Sequence, residues 1–138
     1  MAEAAARREP EGDPALRTLA MPGDANPNGD IFGGWVLSQM DLAGGVSAGI
    51  RAQGRVATVA IDAMRFHQPV GIGDLVSCYT RIQRIGTTSI TIHIETWARR
   101  HRHGEAVLVT EGTFIFVAID ETGRPRPVPP ESSEPVSS

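Results

Sequence analysis

Gly33-Gly34-Trp35-Val36-Leu37-Ser38-Gln39-Met40-Asp41-Leu42-Ala43-Gly44-Gly45-Val46-Ser47-Ala48-Gly49-Ile50-Arg51 is the stretch whose reading decides the fold. Its apolar and small residues Val36, Leu37, Met40, Ala43, Gly44, Ser47 and Ala48 recur at helical spacing, which predicts one long amphipathic-to-buried helix over 33–51. Glycines at 44, 45 and 49 weaken such a helix by about 1 kcal/mol each relative to alanine. Close packing against a sheet compensates, because a helix surface bare of side chains lets another backbone approach.

On either side of this helix the period changes to two. Ala15 to Met21 is a short strand candidate, cut off by Pro22, Gly23 and Asp24, and a turn-rich loop runs on to Asp30. Beyond Gly54, Val56 to Phe66 and Leu75 to Ile85 are strands separated by the turn residues Pro69, Gly71, Gly73 and Asp74. Ile90, Ile92, Ile94, Thr96 and Ala98 then alternate with Thr91, His93, Glu95, Trp97 and Arg99, and Ala106 to Ala118 is the last strand.

The predicted order is β-α-β-β-β-β, an α+β domain over 15–122 with an antiparallel sheet curled around a single central helix. One helix cannot cover both faces of five strands, so a homo-oligomer, a dimer at least, is expected to bury the remaining edges or faces. Residues 1–14 and the Pro- and Ser-rich residues 123–138 are expected to be tails.

Composition narrows the functional classes. A chain of 138 residues with 41% apolar content is enough for one core without metals or disulfides. The single cysteine, Cys78, forms no intramolecular disulfide, and no secretory signal is evident, so a cytoplasmic protein is expected. No apolar run nears the roughly 20 residues of a membrane span. A net charge of −3 and a pI near 5.8 argue against a nucleic-acid partner, although all 13 basic residues are arginine, a bias that genome composition explains.

Between Ile31 and Ile50 the only ionisable residue is Asp41. A surface helix carries several charges on its outer side, so this one is expected to have almost no outer side. A carboxylate there must be paired, hydrogen-bonded or neutralised, and desolvation raises its pKa toward the range of a general base. The helix pattern alone equally fits an aspartate on an exposed strip or one paired with arginine. At the helix start, Phe32-Gly33-Gly34 offers backbone N–H groups at the positive end of the helix dipole, suited to an oxyanion. An ordinary helix start reads the same way.

The run Met21-Pro22-Gly23-Asp24-Ala25-Asn26-Pro27-Asn28-Gly29-Asp30-Ile31-Phe32-Gly33-Gly34 through Asp41 resembles the helix-start motif of the YciA-type bacterial acyl-CoA thioesterases, relatives of the brain-type acyl-CoA hydrolases. The likeness continues through Val59 to Phe66, Pro69 to Asp74, Arg84 to Ile90, Thr113 to Asp120 and Gly123-Arg124. It implies a hotdog fold and hydrolysis of acyl-CoA to free CoA and a carboxylic acid, with no cofactor beyond the CoA of substrate and product. It also implies a site shared between opposing hotdog units, with Asn26 and Asp41 as catalytic residues, Asp41 as general base or, less readily, nucleophile, and Gly33 or Gly34 as oxyanion donor.

By the same resemblance, CoA runs along the subunit interface near Val59 to Arg65 and the turn Gly86, Thr87, Thr88 and Ser89. Relatives often carry an arginine in that turn; its absence here leaves Arg84, or the Arg99-Arg100-Arg102 turn, as the phosphate contact. Relatives are commonly hexamers built as trimers of dimers, so that state is expected.

Other motifs carry less. His101-x-His103 has metal-ligand spacing but no further Cys or His nearby, so no metal site is expected, and His67 and His93 read as structural. Gly-x-Ser-x-Gly and nucleotide-binding glycine loops are absent. Hotdog dehydratases need a histidine near the helix start, and residues 22–50 contain none. A non-catalytic acyl-CoA binding or sensing module on the same fold is the remaining alternative, disfavoured by the presence of both Asn26 and Asp41.

Overall fold

The computed structural model of the protein describes residues 10, 12–100 and 104–131; the N-terminal tail reading for 1–9 and 11, the His101-x-His103 pair and the last seven residues lie outside it. Strand β1 (Leu16–Leu19) leads through a 3₁₀ turn, Pro22–Asp24, to helix α1 (Gly33–Ala52). Strands β2 (Val56–Phe66), β3 (Leu75–Ile85), β4 (Ser89–Arg99) and β5 (Ala106–Ala118) follow. The sheet order is β1-β3-β4-β5-β2 with every pairing antiparallel, so the expected hotdog arrangement, one long helix packed on a five-stranded antiparallel sheet, is what the chain forms.

Period-two alternation explains which side faces the helix. Ile90, Ile92 and Ile94 of β4 and Phe114 and Phe116 of β5 are fully buried, whereas the intervening Thr91, His93, Thr113 and Ile115 are only partly so. Against this apolar face α1 presents Met40, Ala43, Gly44, Ala48 and Ala52, all buried. The contact is close because Gly44 has no side chain. A Cβ built there would lie 2.6 Å from Phe116 Cζ and 2.7 Å from Ile94 Cδ1. The helix stops where Gln53 turns left-handed at φ 56° and donates back to Gly49 and Ile50.

The two sides of α1 differ, where almost no outer side was expected. Leu42, Val46 and Ile50, one turn apart, are 55%, 50% and 74% exposed, so in a single chain the helix does have an outer side, and it is apolar. The neighbouring edge strand β2 is exposed too, with Val59 and Ile61 uncovered. An apolar helix face continuous with an unpaired strand edge is the surface that the oligomer argument requires.

β2 is bulged twice. Its register with β5 shifts between Thr58 and Ala60, and again between Asp62 and Arg65, where Ala63 takes φ 51° and donates its N–H to Asp62 Oδ1 at 2.9 Å. Directly opposed residues of an antiparallel pair share a face, so Thr58 opposite Phe116 and Ile61 opposite Phe114 both point toward the helix although three positions apart.

Beyond Thr122 the chain stays attached, where a tail was expected. Asp120 Oδ1 accepts from the Thr122 hydroxyl and from the N–H groups of Thr122 and Arg124, the hydroxyl bond being the main cause that holds this carboxyl below its usual range. Val128 N donates to Thr87 O at 2.8 Å, Arg126 Nη2 to Ala52 O at 2.8 Å, and Arg51 Nη1 to Pro129 O at 2.6 Å. The segment fills the gap between the end of α1 and the β3–β4 hairpin, which no local sequence pattern reveals. Among the described residues no helix is long and apolar enough to cross a membrane.

Two adjacent glycines test the helix-to-sheet contact. Gly44→Ala is expected to lower stability by about 1 kcal/mol, since overpacking against the stiff Phe116 ring outweighs the helix-propensity gain. Gly45→Ala, whose Cβ meets nothing within 4 Å, is expected to raise it by a similar amount in denaturant unfolding.

Candidate active site

Asp41 sits at the seam between α1 and β2. Its side chain is half-buried, and Thr58 Oγ1 donates to its Oδ1 at 2.5 Å. The bulge at Val59 matters here, because it sets Thr58 on the helix-facing side while keeping Ile61 there as well. Thr58 was not singled out in the sequence. A bulge is defined by the partner strand, and a threonine in a β-run carries no signal by itself.

The loop before the helix is folded around Asn26. Asn26 Oδ1 accepts from Asn28 N at 2.9 Å and from Asp30 N at 3.1 Å, and the main chain closes the same turn through Asn26 N to Asp30 O at 2.7 Å. Two N–H donors on one oxygen settle which end of the amide is which, so the free end is Nδ2, a donor. Asn26 is partly exposed, and Phe32 N donating to Asp24 O ties the loop to the helix start.

Phe32 is the N-cap of α1 and makes no side-chain capping bond; Trp35 and Val36 donate to Phe32 O. Gly33 and Gly34 are therefore the first two helical residues, whose N–H groups have no partner within the helix, and both are exposed. A Cβ on Gly34 would meet nothing within 4 Å, and one on Gly33 would reach only the Phe66 ring at 3.5 Å.

These groups fall into two halves. Asp41 is seven residues along the helix from Gly34, roughly 10 Å of axial rise, so one chain cannot bring its own helix start and its own aspartate to the same carbonyl carbon. Asn26, Gly33 and Gly34 make one half, and Asp41 with Thr58 the other.

The other sequence-selected positions spread along the sheet. Val59 is the bulge residue beside Thr58, and Arg65 is at the far end of β2 opposite Glu111, on the face turned away from the helix. Arg84 is exposed on β3 opposite Thr91. Gly86 to Ser89 form a hairpin closed by Gly86 N donating to Ser89 O at 2.8 Å, with Thr87 O and Thr88 O accepting from Val128 and Ala118. The hairpin lies at the Val56 end of the sheet, since Ser89 pairs with Val117 and Val117 with Ala57. Val59 and the hairpin thus share an end, and Arg65 is about 20 Å away along the strand.

Cys78, the one thiol, is buried, and burial pushes its pKa up to about 11, so it is no thiolate nucleophile at neutral pH.

Known proteins share this fold. The family model described as the thioesterase superfamily matches residues 28–105. The acyl-CoA thioester hydrolase YciA of Salmonella typhimurium is 51% identical over 123 residues, covering 87% of this chain and 92% of that protein. The chain belongs to the YciA acyl-CoA thioester hydrolases.

Two solved structures place the YciA fold on firm ground. A hexameric thioesterase from Yersinia pestis superposes with a TM-score of 0.84 at 50% identity, covering 88% of this chain and all of that one. A hexameric broad specificity acyl-coenzyme A thioesterase, crystallised as a mutant enzyme with one aspartate replaced by alanine, gives 0.85 at 46% identity, covering 90% and 91%.

Thr58 is the residue that the structure adds to the sequence reading. Thr58→Val is expected to reduce thiol release from acyl-CoA about tenfold or more, the scale of one lost charge-assisted hydrogen bond, and Thr58→Ser to restore most of it. Equal rates for Thr58→Val and wild type in a steady-state thiol assay would remove Thr58 from the site.

Proposed function

We propose that this chain is an acyl-CoA thioesterase whose site is completed by a second copy, Asp41 acting as general base. The observation that carries the reading is the Thr58 to Asp41 bond. It occupies Oδ1 and orients the carboxylate, leaving Oδ2 for a water proton. That water attacks the thioester carbonyl carbon and its proton passes to Asp41. The carbonyl oxygen becomes an oxyanion at the Gly33 and Gly34 N–H groups of the opposing chain, where the helix dipole adds to the hydrogen bonds. Collapse of the tetrahedral intermediate breaks the C–S bond, the acid is released, and the CoA thiolate leaves and is protonated.

Asn26 enters as a donor. With Oδ1 held by Asn28 and Asp30, its Nδ2 donates to the attacking water or to the thioester. Thiolate is a stable leaving group, so no metal is required. The hairpin Gly86 to Ser89, at the Val59 end of β2, is the part of the proposed CoA track that the geometry supports best, and Arg84 beside it is the better phosphate contact than Arg65. The hexameric relatives and the uncovered apolar face of α1 support a hexamer made of three dimers, and the broad specificity relative supports a wide acyl range. A free, buried Cys78 fits the reducing cytoplasm.

Purified protein should release thiol from acyl-CoAs, with Asp41→Ala and Asn26→Ala each slower by at least tenfold and folded by circular dichroism. Asn26→Asp keeps both loop hydrogen bonds but exchanges the Nδ2 donor for a charged acceptor, so it should be at least as slow as Asn26→Ala; a fast Asn26→Asp enzyme would rule out the donor role. Wild-type rates in Asp41→Ala would favour a binding module instead.

Composite sites make a further demand. Subunits carrying Asn26→Ala and Asp41→Ala, unfolded and refolded together, should regain about a quarter of wild-type activity, because half the dimers are mixed and each mixed dimer has one intact site. No recovery on mixing would place both residues in one chain's site.

A further inference from the structure

Residues 125–129, which the reaction proposed above leaves without a task, are fixed by more bonds than a tail needs. Arg126 carries the attachment. Its Nη2 donates to Ala52 O at 2.8 Å, its Nε to Ile119 O at 3.1 Å and its backbone N–H to Ala118 O at 2.9 Å, so one residue joins the end of α1 to the end of β5. The negative end of the helix dipole also favours a cation on a last-turn carbonyl.

The neighbouring chain leaves room for this contact. A Cβ built on Gly54 would lie 2.6 Å from Arg126 Nη2 and 3.5 Å from its Cζ, so the guanidinium occupies the volume that a side chain at 54 would take. Among the described residues Arg126 has no carboxylate partner, and its side-chain N–H groups serve carbonyl oxygens alone.

Two residues further on, the same segment reaches the β3–β4 hairpin. Val128 N donates to Thr87 O at 2.8 Å, the Val128 side chain packs against the core, and Arg51 Nη1 donates to Pro129 O at 2.6 Å. Thr88 O accepts from Ala118 N at 2.9 Å. Both carbonyls at the tip of the hairpin thus face the protein. The N–H groups and hydroxyls of Thr87 and Thr88 have no partner among the described residues, and Arg84, exposed two residues before Gly86, has no carboxylate partner there either. Donors without acceptors beside such a guanidinium suit an anion.

We propose that Arg126 is a positioning residue for the nucleotide end of acyl-CoA. It acts through the hairpin and not on the thioester. By locking residues 125–129 to α1 and β5 it keeps Val128 N on Thr87 O, and that bond holds the hairpin with its carbonyls inward and its donors available to a phosphate. This rests on the reading above that CoA runs past the hairpin, and adds to it the element that sets the hairpin's conformation. The effect is selective, because the thioester reacts at Asp41 and the helix start and does not need the hairpin.

Arg126→Met removes both side-chain bonds while keeping an unbranched stem, and Gly54→Ala displaces the guanidinium by filling its place. Each should raise KM for an acyl-CoA about fivefold or more and leave kcat within about twofold, the scale of one lost hydrogen bond in a binding contact. With the N-acetylcysteamine thioester of the same acid, which lacks the nucleotide, both variants should match wild type. Free CoA should bind each variant about fivefold more weakly in calorimetry. The double variant should be no worse than either single one, since both changes remove the same contact. Circular dichroism and solution mass matching wild type establish that a variant is folded. Equal losses on the two thioesters, or loss of fold in both variants, would assign Arg126 to folding alone, and unchanged KM and CoA affinity would make the hairpin independent of it; each of these overturns the proposal. A wild-type protein that binds CoA but hydrolyses neither thioester would end the thioesterase reading, and the CoA titrations would still decide on Arg126.

Discussion

The approach of α1 to the Phe114, Phe116 and Ile94 floor of the sheet is the constraint on which the rest depends. Gly44 sets how deep the helix lies, and Ala43, Ala48 and Ala52 keep the same shallow profile along its length. A helix this close to its sheet has no room for long side chains inward. Its one carboxylate is thereby kept at the edge of the contact, where β2 is the nearest strand. The bulge at Val59 then supplies Thr58 as its partner. Packing, a defect in strand register and one hydrogen bond together place Asp41 on a rigid element.

That placement separates Asp41 from the helix start by the pitch of the helix itself. Axial rise per residue is not adjustable, so no side-chain movement in one chain closes roughly 10 Å between Asp41 and Gly34. The same chain leaves Leu42, Val46 and Ile50 uncovered next to Asp41 and an unpaired edge at β2. Covering that surface with another copy lowers the exposed apolar area, and in the proposed site it is also the step that brings a second helix start within reach of the acid. On the proposed composite site, association and site assembly are one event.

Much of this was legible in the residues. The switch from a period near 3.6 to a period of two after Gly54 marks the helix and the four strands after it, since core-facing positions have to alternate on a sheet and recur each turn on a helix. Asp41 stood out because a charge among small residues is rare. What the chain concealed depends on partners distant in sequence. Thr58 becomes significant only through a register shift against β5. Val128 and Arg126 belong to the folded unit only because the end of α1 and the Thr87 hairpin leave a gap between them, which a Pro-rich composition does not announce. The helix was expected to lack an outer side, yet in a single chain it has an apolar one, because absence of charge does not by itself bury a helix face within its own chain.

The outer face of the sheet follows a different logic from the inner one. Inward positions on β4 and β5 are isoleucine, phenylalanine and glycine, chosen by packing alone, whereas the outward ones at the middle of the same strands are His93, Glu95, Glu111 and Thr113. A solvated face tolerates charges of either sign but favours alternating them across strands, because directly opposed like charges repel. Here the opposed pair is Glu95 and Glu111, and donors from neighbouring positions offset it instead: His67 Nε2 meets Glu111 Oε2 at 2.8 Å and Trp97 Nε1 donates to Glu95 Oε1 at 3.1 Å, so the outer face depends on partners that the alternation of the strands does not reveal.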